Sequence, residues 1–457
     1  MTEITAKSVT SLAELIRSLE LSPVEIVQAY LDRIADLNPK LNAIVTLAPD
    51  AMDKAKAAEA SVMRGDALGP LHGIPLTVKD TIETAGLRTT SGSVLRADYV
   101  PERDADAVAR LKGAGAIILG KTNTAEMAMD YTTDNPVFGR AINPHNPLLT
   151  TGGSSGGEAA AIASFISPGG IGSDLAGSIR IPSHFCGIAG LKPTVGRVPG
   201  DGQFPPNTGP YSLGAVIGPM ARSVDDLRVL FRALAGIKNS SGDPDLAHPL
   251  SGARVSWYAD DGVSPVTVET RQAVETAAKI LARSGLIVAE TRPPGIERGH
   301  EMWLTLFSRA SVVQLRNVYS GHEEKAGNFV RWRLATAENE PPPALDDYIT
   351  SWMARDRVRA QLVEWMAQSP LILAPVGATP AIANEALKVT VGEQTVNVFR
   401  AFSYAQTFNV FDLPVAVVPV GRSAEGLPIG VQIIGRPFEE ETVLAAAAII
   451  EEAVGQE

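Results

Sequence analysis

The sequence predicts an α/β fold built on one large, mixed and twisted β-sheet that helices cover on both faces. Short apolar runs alternate with helical patterns along most of the chain, which is typical of a sheet buried on both sides. Residues 414–435 hold two such runs around a turn that contains Gly and Pro, which predicts an antiparallel hairpin and therefore a mixed sheet. The last predicted strands resemble the earlier ones, and no internal repeat or low-complexity linker separates them. Residues 1–457 are therefore expected to form a single domain.

The first 70 residues read as helical. Residues 22–25 (SPVE) form a capping box with Pro at the first helical position, and apolar residues follow at helical spacing. A second, alanine-rich helix is predicted over residues 50–63, and Gly65 ends it.

The strands come next in the chain, and residues 291–368 interrupt them. The apolar runs predicted as strands are 74–80, 116–122, 169–174, 254–260, 286–291, 370–376, 414–420 and 429–435, with a helix over 105–112. Residues 291–368 are instead helical and rich in aromatic side chains. Two interpretations of this segment stay open: it is ordinary helical core, or it is a variable helical cap over a pocket.

Composition excludes several classes of function. The chain has 40 Lys and Arg against 51 Asp and Glu, a net charge of −11, and it lacks a basic stretch that could follow phosphates, so we expect no nucleic-acid partner. No run approaches about 18 apolar residues, so no membrane-spanning helix is expected. The acidic N-terminus is not a signal peptide, which favours a cytoplasmic location. Cys186 is the one cysteine, and we interpret it as a small core residue.

Residues 150–159 (TTGGSSGGEA) place two serines inside a run of glycines. This run could be a flexible linker, a loop that binds phosphate, or a turn that presents a hydroxyl group. A helical segment follows directly, which argues against a linker. A phosphate loop would place Lys after the last glycine, whereas Gly157 precedes Glu158. A turn that presents a serine is therefore favoured.

The same run matches the G-x-S-x-G pattern of serine hydrolases over residues 152–156. That pattern requires a strand just before it, whereas residues 143–151 hold two prolines and read as a loop. A serine–histidine enzyme also requires a histidine. None of the six histidines lies in an evident catalytic context: His72, His145, His184, His248, His300 and His322.

A second serine stands in a more informative position. A predicted strand ends at Asp174, and a turn of small residues leads to Ser178. Such a turn can direct successive backbone N–H groups at one point, as an oxyanion hole requires. Lys79 lies in another predicted buried strand, residues 74–80, and burial lowers the pKa of a lysine so that its neutral amine can accept a proton. Ser154 could relay that proton from Ser178 to Lys79.

Together these segments resemble the amidase signature family. The motifs that carry the resemblance are GPLHGIPLTVKD around Lys79, TGGSSGGEAAAIA around Ser154, GSDLAGSIRIPSHFCGIAGLKPTVGRVP around Ser178, and the later GPMARSVDDL and LPVAVVPVG…GLPIGVQIIG. The resemblance covers roughly residues 5–235 and 370–455. It implies an amide hydrolase that needs no metal and no cofactor.

The resemblance implies a role for each motif residue. Ser178 is expected to be the nucleophile, Ser154 a bridging serine after a cis peptide bond from Gly153, and Lys79 the neutral base. The oxyanion hole is expected to consist of the backbone N–H groups of Leu175, Ala176, Gly177 and Ser178. Supporting positions are expected for Ser155, Asp174 and Arg180.

Three positions depart from the usual motif of this family. Ala176 stands where glycine is usual, Thr151 stands where proline is frequent, and Glu158 replaces a common small residue. None of these departures falls on Lys79 or on the two serines with catalytic roles.

The resemblance also suggests the substrate. It places Met127, Ala128 and Met129 in the pocket and makes Phe204 and Tyr211 candidates for its rim. These side chains suit apolar or aryl groups, as in the fatty-acid-amide and aryl-acylamide branch of the family. We therefore expect hydrolysis of small apolar or aryl amides and anilides, with carbamates (urethanes) and esters as further substrates.

Three alternative functions remain open at this point. The main one is a glutaminase-like A subunit of a tRNA-dependent amidotransferase, which would require partner proteins. The others are a serine–histidine esterase and a protein that binds without catalysis. Whether the chain forms a homodimer is open as well.

Overall fold

The computed structural model describes residues 2–237, 250–337, 339 and 343–455. Its main feature is an 11-stranded sheet with the strand order β1-β3-β2-β4-β6-β5-β12-β13-β9-β7-β8. These strands are β1 Ile44–Leu47, β2 Pro75–Lys79, β3 Ile117–Thr122, β4 Gly169–Asp174, β5 Ala189–Lys192, β6 Val216–Ala221, β7 Arg254–Trp257, β8 Ile287–Glu290, β9 Leu371–Pro375, β12 Val415–Arg422 and β13 Pro428–Ile434. A separate hairpin consists of β10 Lys388–Val391 and β11 Gln394–Asn397.

The sheet is mixed, as the sequence predicts. Strand β2 runs parallel to both β3 and β4, and β7 runs parallel to β8 and β9. The other pairings are antiparallel, including the predicted hairpin of β12 and β13. Parallel neighbours require a crossover connection, and the helices supply it.

Helices cover both faces of the sheet. All residues of β2, β3, β4, β6 and β13 are buried, and since consecutive side chains point to opposite faces, both faces must be covered. The helices are α1 Thr2–Thr5, α2 Val9–Arg17, α3 Pro23–Leu41, α4 Ala51–Arg64, α5 Asp106–Gly113, α6 Gly156–Ala163, α7 Arg180–Cys186, α8 Val224–Ala235, α9 Val268–Arg283, α10 Gly299–Trp303, α11 Arg309–Tyr319, α12 Asn328–Thr336, α13 Leu345–Trp365, α14 Val398–Ala401, α15 Ser403–Val410 and α16 Glu440–Gly455.

The N-terminal helices begin where the sequence predicts. Ser22 Oγ accepts the backbone N–H of Glu25, and the Glu25 carboxylate accepts the N–H of Ser22, which completes the capping box. Helix α4 ends at Gly65 in the left-handed conformation.

Several strands were missed at the sequence level. The expectation that the first 70 residues are helical is wrong for β1. This strand forms one edge of the sheet and pairs antiparallel with β3. Strand β6 lies in the sheet interior although it contains Pro219, and proline normally argues against an interior strand. Residues 189–192 form β5 by pairing with β6 and β12, which lie far away in sequence.

Candidate active site

The candidate site lies where the C-terminal ends of two parallel interior strands meet. This end of the strands is here called the C-terminal edge of the sheet. Strands β2 and β4 pair through Thr77 with Gly170 and Val78 with Ile171. Because parallel strands share their direction, the C-terminal residues Lys79 and Asp174 reach the same edge.

The glycine-rich run lies beside this edge and leads into α6. Its peptide bond between Gly153 and Ser154 is cis, as expected from the resemblance. Position 153 requires glycine because a Cβ there would overlap the carbonyl oxygen of Asp130. Ser155 ties the run to the neighbouring segments: its backbone N–H donates to Ser178 O (3.2 Å), and its hydroxyl donates to Ser173 O (3.3 Å).

The side chain of Lys79 is fully buried and held by two hydroxyl groups. Its Nζ lies 2.7 Å from Ser154 Oγ and 3.0 Å from Ser173 Oγ. Burial lowers the pKa of Lys79 to about 7, although the carboxylates of Asp174 and Glu158 act in the opposite direction. A large fraction of Lys79 is therefore neutral at physiological pH and able to accept a proton.

Glu158 is buried beside Lys79 and is held by two threonines. Thr77 Oγ1 donates to one carboxylate oxygen (2.5 Å) and Thr122 Oγ1 to the other (2.8 Å). Burial raises the pKa of Glu158 to about 7. This carboxyl group therefore contributes to the charge balance around Lys79.

The turn of residues 174–178 has every backbone carbonyl hydrogen-bonded. Trp303 Nε1 donates to Leu175 O (3.1 Å), and Tyr131 Oη donates to Ala176 O (3.0 Å). The remaining carbonyls accept from Asn409 Nδ2, Ile181 N and Ser155 N, at Asp174, Gly177 and Ser178 respectively. The carbonyl side of the turn is thus fixed by its neighbours.

The N–H groups of the same turn are mostly unpaired. Within the described chain, the N–H groups of Leu175, Ala176 and Ser178 have no acceptor, whereas Gly177 N donates to Asp174 Oδ1 (2.9 Å). Gly177 has φ of +104°, and a Cβ there would lie 2.7 Å from Ala405 Cβ, so glycine is required. Three of the four expected oxyanion donors are therefore free. The fourth, the N–H of Gly177, already donates to the Asp174 carboxylate.

Asp174 and Arg180 form a buried ion pair below the turn. The guanidinium donates to both carboxylate oxygens, at 2.9 and 3.0 Å, and both side chains are fully buried. Although burial opposes it, the charge of Arg180 holds the pKa of Asp174 well below its usual range. Asp174 therefore stays ionised and continues to accept the N–H groups of the turn.

Two adjoining cavities meet at Ser178, whose hydroxyl has no hydrogen-bond partner in the described part of the chain. The larger, here called the aromatic cavity, spans about 620 Å³ of space that is partly open to solvent, and it is lined by Ala128, Met129, Asp130, Tyr131, Leu175, Ala176, Ser178, Tyr211, Trp303, Phe307, Ser308, Ser311, Phe329, Arg333 and Phe399. The smaller, here called the amide-lined cavity, spans about 430 Å³, also partly open to solvent, and it is lined by Met127, Ala128, Met129, Ser154, Ser173, Asp174, Leu175, Ser178, Gln203, Pro205, Pro206, Asn207, Tyr211, Ala215 and Gln314.

The predicted pocket residues meet these cavities with one exception. Met127, Ala128, Met129 and Tyr211 line one or both of them. Phe204 lines neither: its ring packs 4.1 Å from the guanidinium of Arg96. Its neighbours Gln203 and Pro205 line the amide-lined cavity instead, and a place for Phe204 at the rim stays a prediction.

Helices between residues 291 and 368 contribute much of the aromatic wall. Trp303, Phe307 and Phe329 line the aromatic cavity, and Gln314 lines the other. Residues 338 and 340–342 of this segment lie outside the described chain. The segment thus borders both cavities.

The site residues to which the sequence analysis assigned no role include Ser173, Tyr131 and Trp303. The first adjoins Asp174 in the quoted motif and could have been found as a second hydroxyl near the lysine. The other two contact the turn only because the fold brings remote segments together, and no local pattern marks them.

The described histidines do not join the site. His72, His145, His184, His300 and His322 line neither cavity, and His248 lies outside the described residues. His184 accepts Gly430 N at Nδ1 (2.7 Å), and burial lowers its pKa to about 4. Cys186 is buried as predicted.

In the part of the chain that the structure covers, no helix is long and apolar enough to cross a membrane. The same residues contain no group of three or more His, Cys, Asp and Glu side chains placed to hold a metal ion.

Comparison with known proteins gives a consistent result. The family model described as Amidase matches residues 25–444. The chain is 32% identical to human fatty-acid amide hydrolase 2 (97% of this chain, 88% of the relative). It is 33% identical to indoleacetamide hydrolase of Bradyrhizobium diazoefficiens (98% and 86%). It is also 32% identical to the A subunit of glutamyl-tRNA(Gln) amidotransferase from Heliobacterium modesticaldum (98% and 97%).

Solved structures of similar chains share the fold. A crystal structure of an amidase superposes with a TM-score of 0.87 at 28% identity, over 98% of this chain and 100% of that chain. A bacterial aryl acylamidase superposes with a TM-score of 0.86 at 26% identity, over 98% and 97%.

Proposed function

The chain belongs to the amidase family, and from that premise we propose that it hydrolyses amides that carry an apolar or aryl group, by a Ser178–Ser154–Lys79 triad. The observation that carries the proposal is the buried Lys79 Nζ, 2.7 Å from Ser154 Oγ, beside an aromatic cavity that Ser178 lines. Relatives named for fatty-acid amides, indoleacetamide and aryl acylamides support this substrate class.

In the proposed mechanism, Ser178 Oγ attacks the carbonyl carbon of the amide. Its proton passes to Ser154 Oγ while the proton of Ser154 passes to the neutral Nζ of Lys79. Ser178 and Ser154 form no direct hydrogen bond in the free protein, and such bonds often form only in the substrate complex. The free N–H groups of the turn stabilise the oxyanion.

The second half returns the proton and releases the acid. When the C–N bond breaks, the leaving nitrogen takes the proton from Lys79 through Ser154, and an acyl ester remains on Ser178. Water then attacks the ester, gives its proton to Lys79 by the same route, and regenerates the Ser178 hydroxyl as the carboxylic acid leaves. Carbamates and esters can follow the same course.

We further propose that the helices between residues 291 and 368 form a cap over the substrate. Trp303, Phe307 and Phe329 support this role because they line the aromatic cavity. The whole chain would act as one catalytic domain, since its active site draws on β2, β4 and this helical segment together.

A second candidate function follows from the similarity to the A subunits of amidotransferases. In that case the substrate amide would be glutamine and partner chains would be required. The apolar walls of the aromatic cavity disfavour it, because a glutamine side chain would leave those rings uncovered.

Turnover of a small panel tests both candidates. The panel contains free glutamine, an aliphatic amide, an anilide and an aryl carbamate, each with the wild type and with Ser178→Ala. We expect turnover of the anilide or carbamate, and its loss in the variant. Ammonia release from glutamine alone would overturn the proposal and favour the amidotransferase function.

A further inference from the structure

Three residues that line the amide-lined cavity each carry a buried polar atom without a partner. Within the described chain, Tyr211 Oη, Gln203 Oε1 and Asn207 Nδ2 form no hydrogen bond, and all three residues line this cavity. Leaving such an atom unpaired costs free energy, and native proteins contain few of them. Three such atoms on residues of one cavity are therefore groups that a hydrogen-bonding ligand in this cavity would satisfy.

These atoms offer a defined pattern to a ligand. Gln203 Nε2 donates to Asn207 Oδ1 (3.2 Å), which leaves the acceptor Gln203 Oε1 and the NH2 donor group of Asn207 without a partner among the described residues. The Tyr211 hydroxyl can donate or accept a hydrogen bond. A partner that satisfies them must carry both a donor and an acceptor.

The aromatic cavity, which Ser178 also lines, differs in character. The aromatic cavity presents the rings of Trp303, Phe307, Phe329 and Phe399. Because Ser178 lines both cavities, an amide whose carbonyl reaches its hydroxyl would extend into both of them. The two ends of that amide therefore meet different chemistry.

We propose that the amide-lined cavity is a polar subsite, and that the preferred substrate is an amide with an aryl or apolar group on one side of the scissile bond and a short polar group bearing a hydrogen-bond donor and acceptor on the other. This inference rests on the proposed function and narrows its substrate class. An amide that is apolar at both ends leaves Gln203, Asn207 and Tyr211 unpaired. A free amino-acid amide leaves the aromatic rings uncovered.

Matched substrate pairs test the subsite. The first pair is phenylacetyl-glycinamide and N-isobutyl-phenylacetamide, which differ only by a carboxamide against an isopropyl group in the leaving amine. The second pair places the same contrast on the acyl side: succinamic acid anilide and 4-methylpentanoic acid anilide. In one of the two pairs we expect the polar member to have a kcat/KM higher by about tenfold or more, since sites built for hydrogen bonds reject analogues that lack them.

Two tyrosine variants give a matched control. Tyr211 and Tyr258 both carry a buried hydroxyl without a partner in the described residues, but only Tyr211 lines the cavities. We expect Tyr211→Phe to reduce the polar-to-apolar ratio by about fivefold and Tyr258→Phe to leave it unchanged. Both variants lose only an unpaired hydroxyl, so both should keep the wild-type melting temperature or exceed it. Gln203→Met and Asn207→Leu should reduce the ratio as well.

Binding measurements distinguish a failure of the proposed subsite from a failure of the proposed hydrolysis. Calorimetry with Ser178→Ala measures affinity for the four compounds without turnover. A polar preference in binding, with no turnover by the wild type, would support the subsite and overturn the proposed hydrolysis. Turnover of both members of each pair within twofold, unchanged in Tyr211→Phe, would overturn the subsite and leave the hydrolase intact.

Discussion

The pH dependence of the reaction offers the most direct test of the role proposed for Lys79. Only its neutral form can accept a proton, so kcat/KM should follow the neutral fraction of this residue. Burial lowers its pKa to about 7 from the ordinary value of 10.5. The perturbation is pH itself, and the predicted limb rises with the neutral fraction of Lys79. Glu158, whose pKa burial raises to about 7, titrates over the same range, so the profile is recorded for Glu158→Gln as well.

The magnitude follows from that pKa. With a pKa of about 7, the neutral fraction of Lys79 is about 0.1 at pH 6 and about 0.9 at pH 8, a rise of about tenfold. With the ordinary pKa of 10.5, the neutral fraction at pH 8 would be about 0.003, and the rate would still rise about tenfold per pH unit at pH 9. The two cases differ in the pH at which kcat/KM reaches its plateau.

The assay uses an anilide that does not ionise between pH 5 and pH 10, at a concentration below KM and at constant ionic strength. Ser178→Ala supplies the uncatalysed background at each pH, and Lys79→Met should lack activity throughout. A rate that is flat from pH 6 to pH 8, falls with pH, or still rises tenfold per unit beyond pH 9 would refute the reasoning. His184 does not account for a limb near pH 7, because burial lowers its pKa to about 4.

Three further predictions follow from the site geometry. Ser178→Ala should lower kcat about a thousandfold or more and abolish the acyl-enzyme mass that rapid quenching and intact-mass measurement detect in the wild type. Glu158→Gln should move the midpoint of the pH profile to lower pH, since the charge of Glu158 raises the pKa of Lys79; an unmoved midpoint would show that the two groups do not interact. Trp303→Phe keeps an aromatic ring but loses the N–H bonded to Leu175 O, so kcat should fall about fivefold with little change in KM; an increase confined to KM would assign Trp303 to substrate contact alone.

Much of the fold could be predicted because its strands carry local signals. Strands β2, β3 and β4 are short apolar runs, and the hairpin of β12 and β13 is marked by its turn. Strand β6 contains Pro219, so its sequence argues against the interior position that it occupies. Its place depends on pairing with β4 and β5, which no local window of sequence contains.

The residues of the candidate site also fall into two groups: those that a local sequence motif marks and those that only the folded chain brings together. Lys79, Ser154 and Ser178 each lie in a short motif with a physical reason for its glycines or its buried strand, so sequence could single them out. The bond from Trp303 to Leu175 spans 128 positions, and that of Tyr131 to Ala176 spans 45. Such contacts exist only in the folded chain, and they decide which backbone groups of the turn remain free.

The buried ion pair of Asp174 and Arg180 explains how the turn keeps its orientation. Such a pair is often no more stabilising than apolar residues of the same size, so stability alone is a weak reason for it. Its carboxylate accepts the N–H groups of Gly177 and Ile179, which lie on either side of Ser178. With these two N–H groups taken and every carbonyl of the turn already bonded, the N–H groups of the turn that remain free within the described chain are those of Leu175, Ala176 and Ser178. If the turn stabilises an oxyanion as proposed, the role of the ion pair is to hold the backbone dipoles of the turn in the direction that this stabilisation requires.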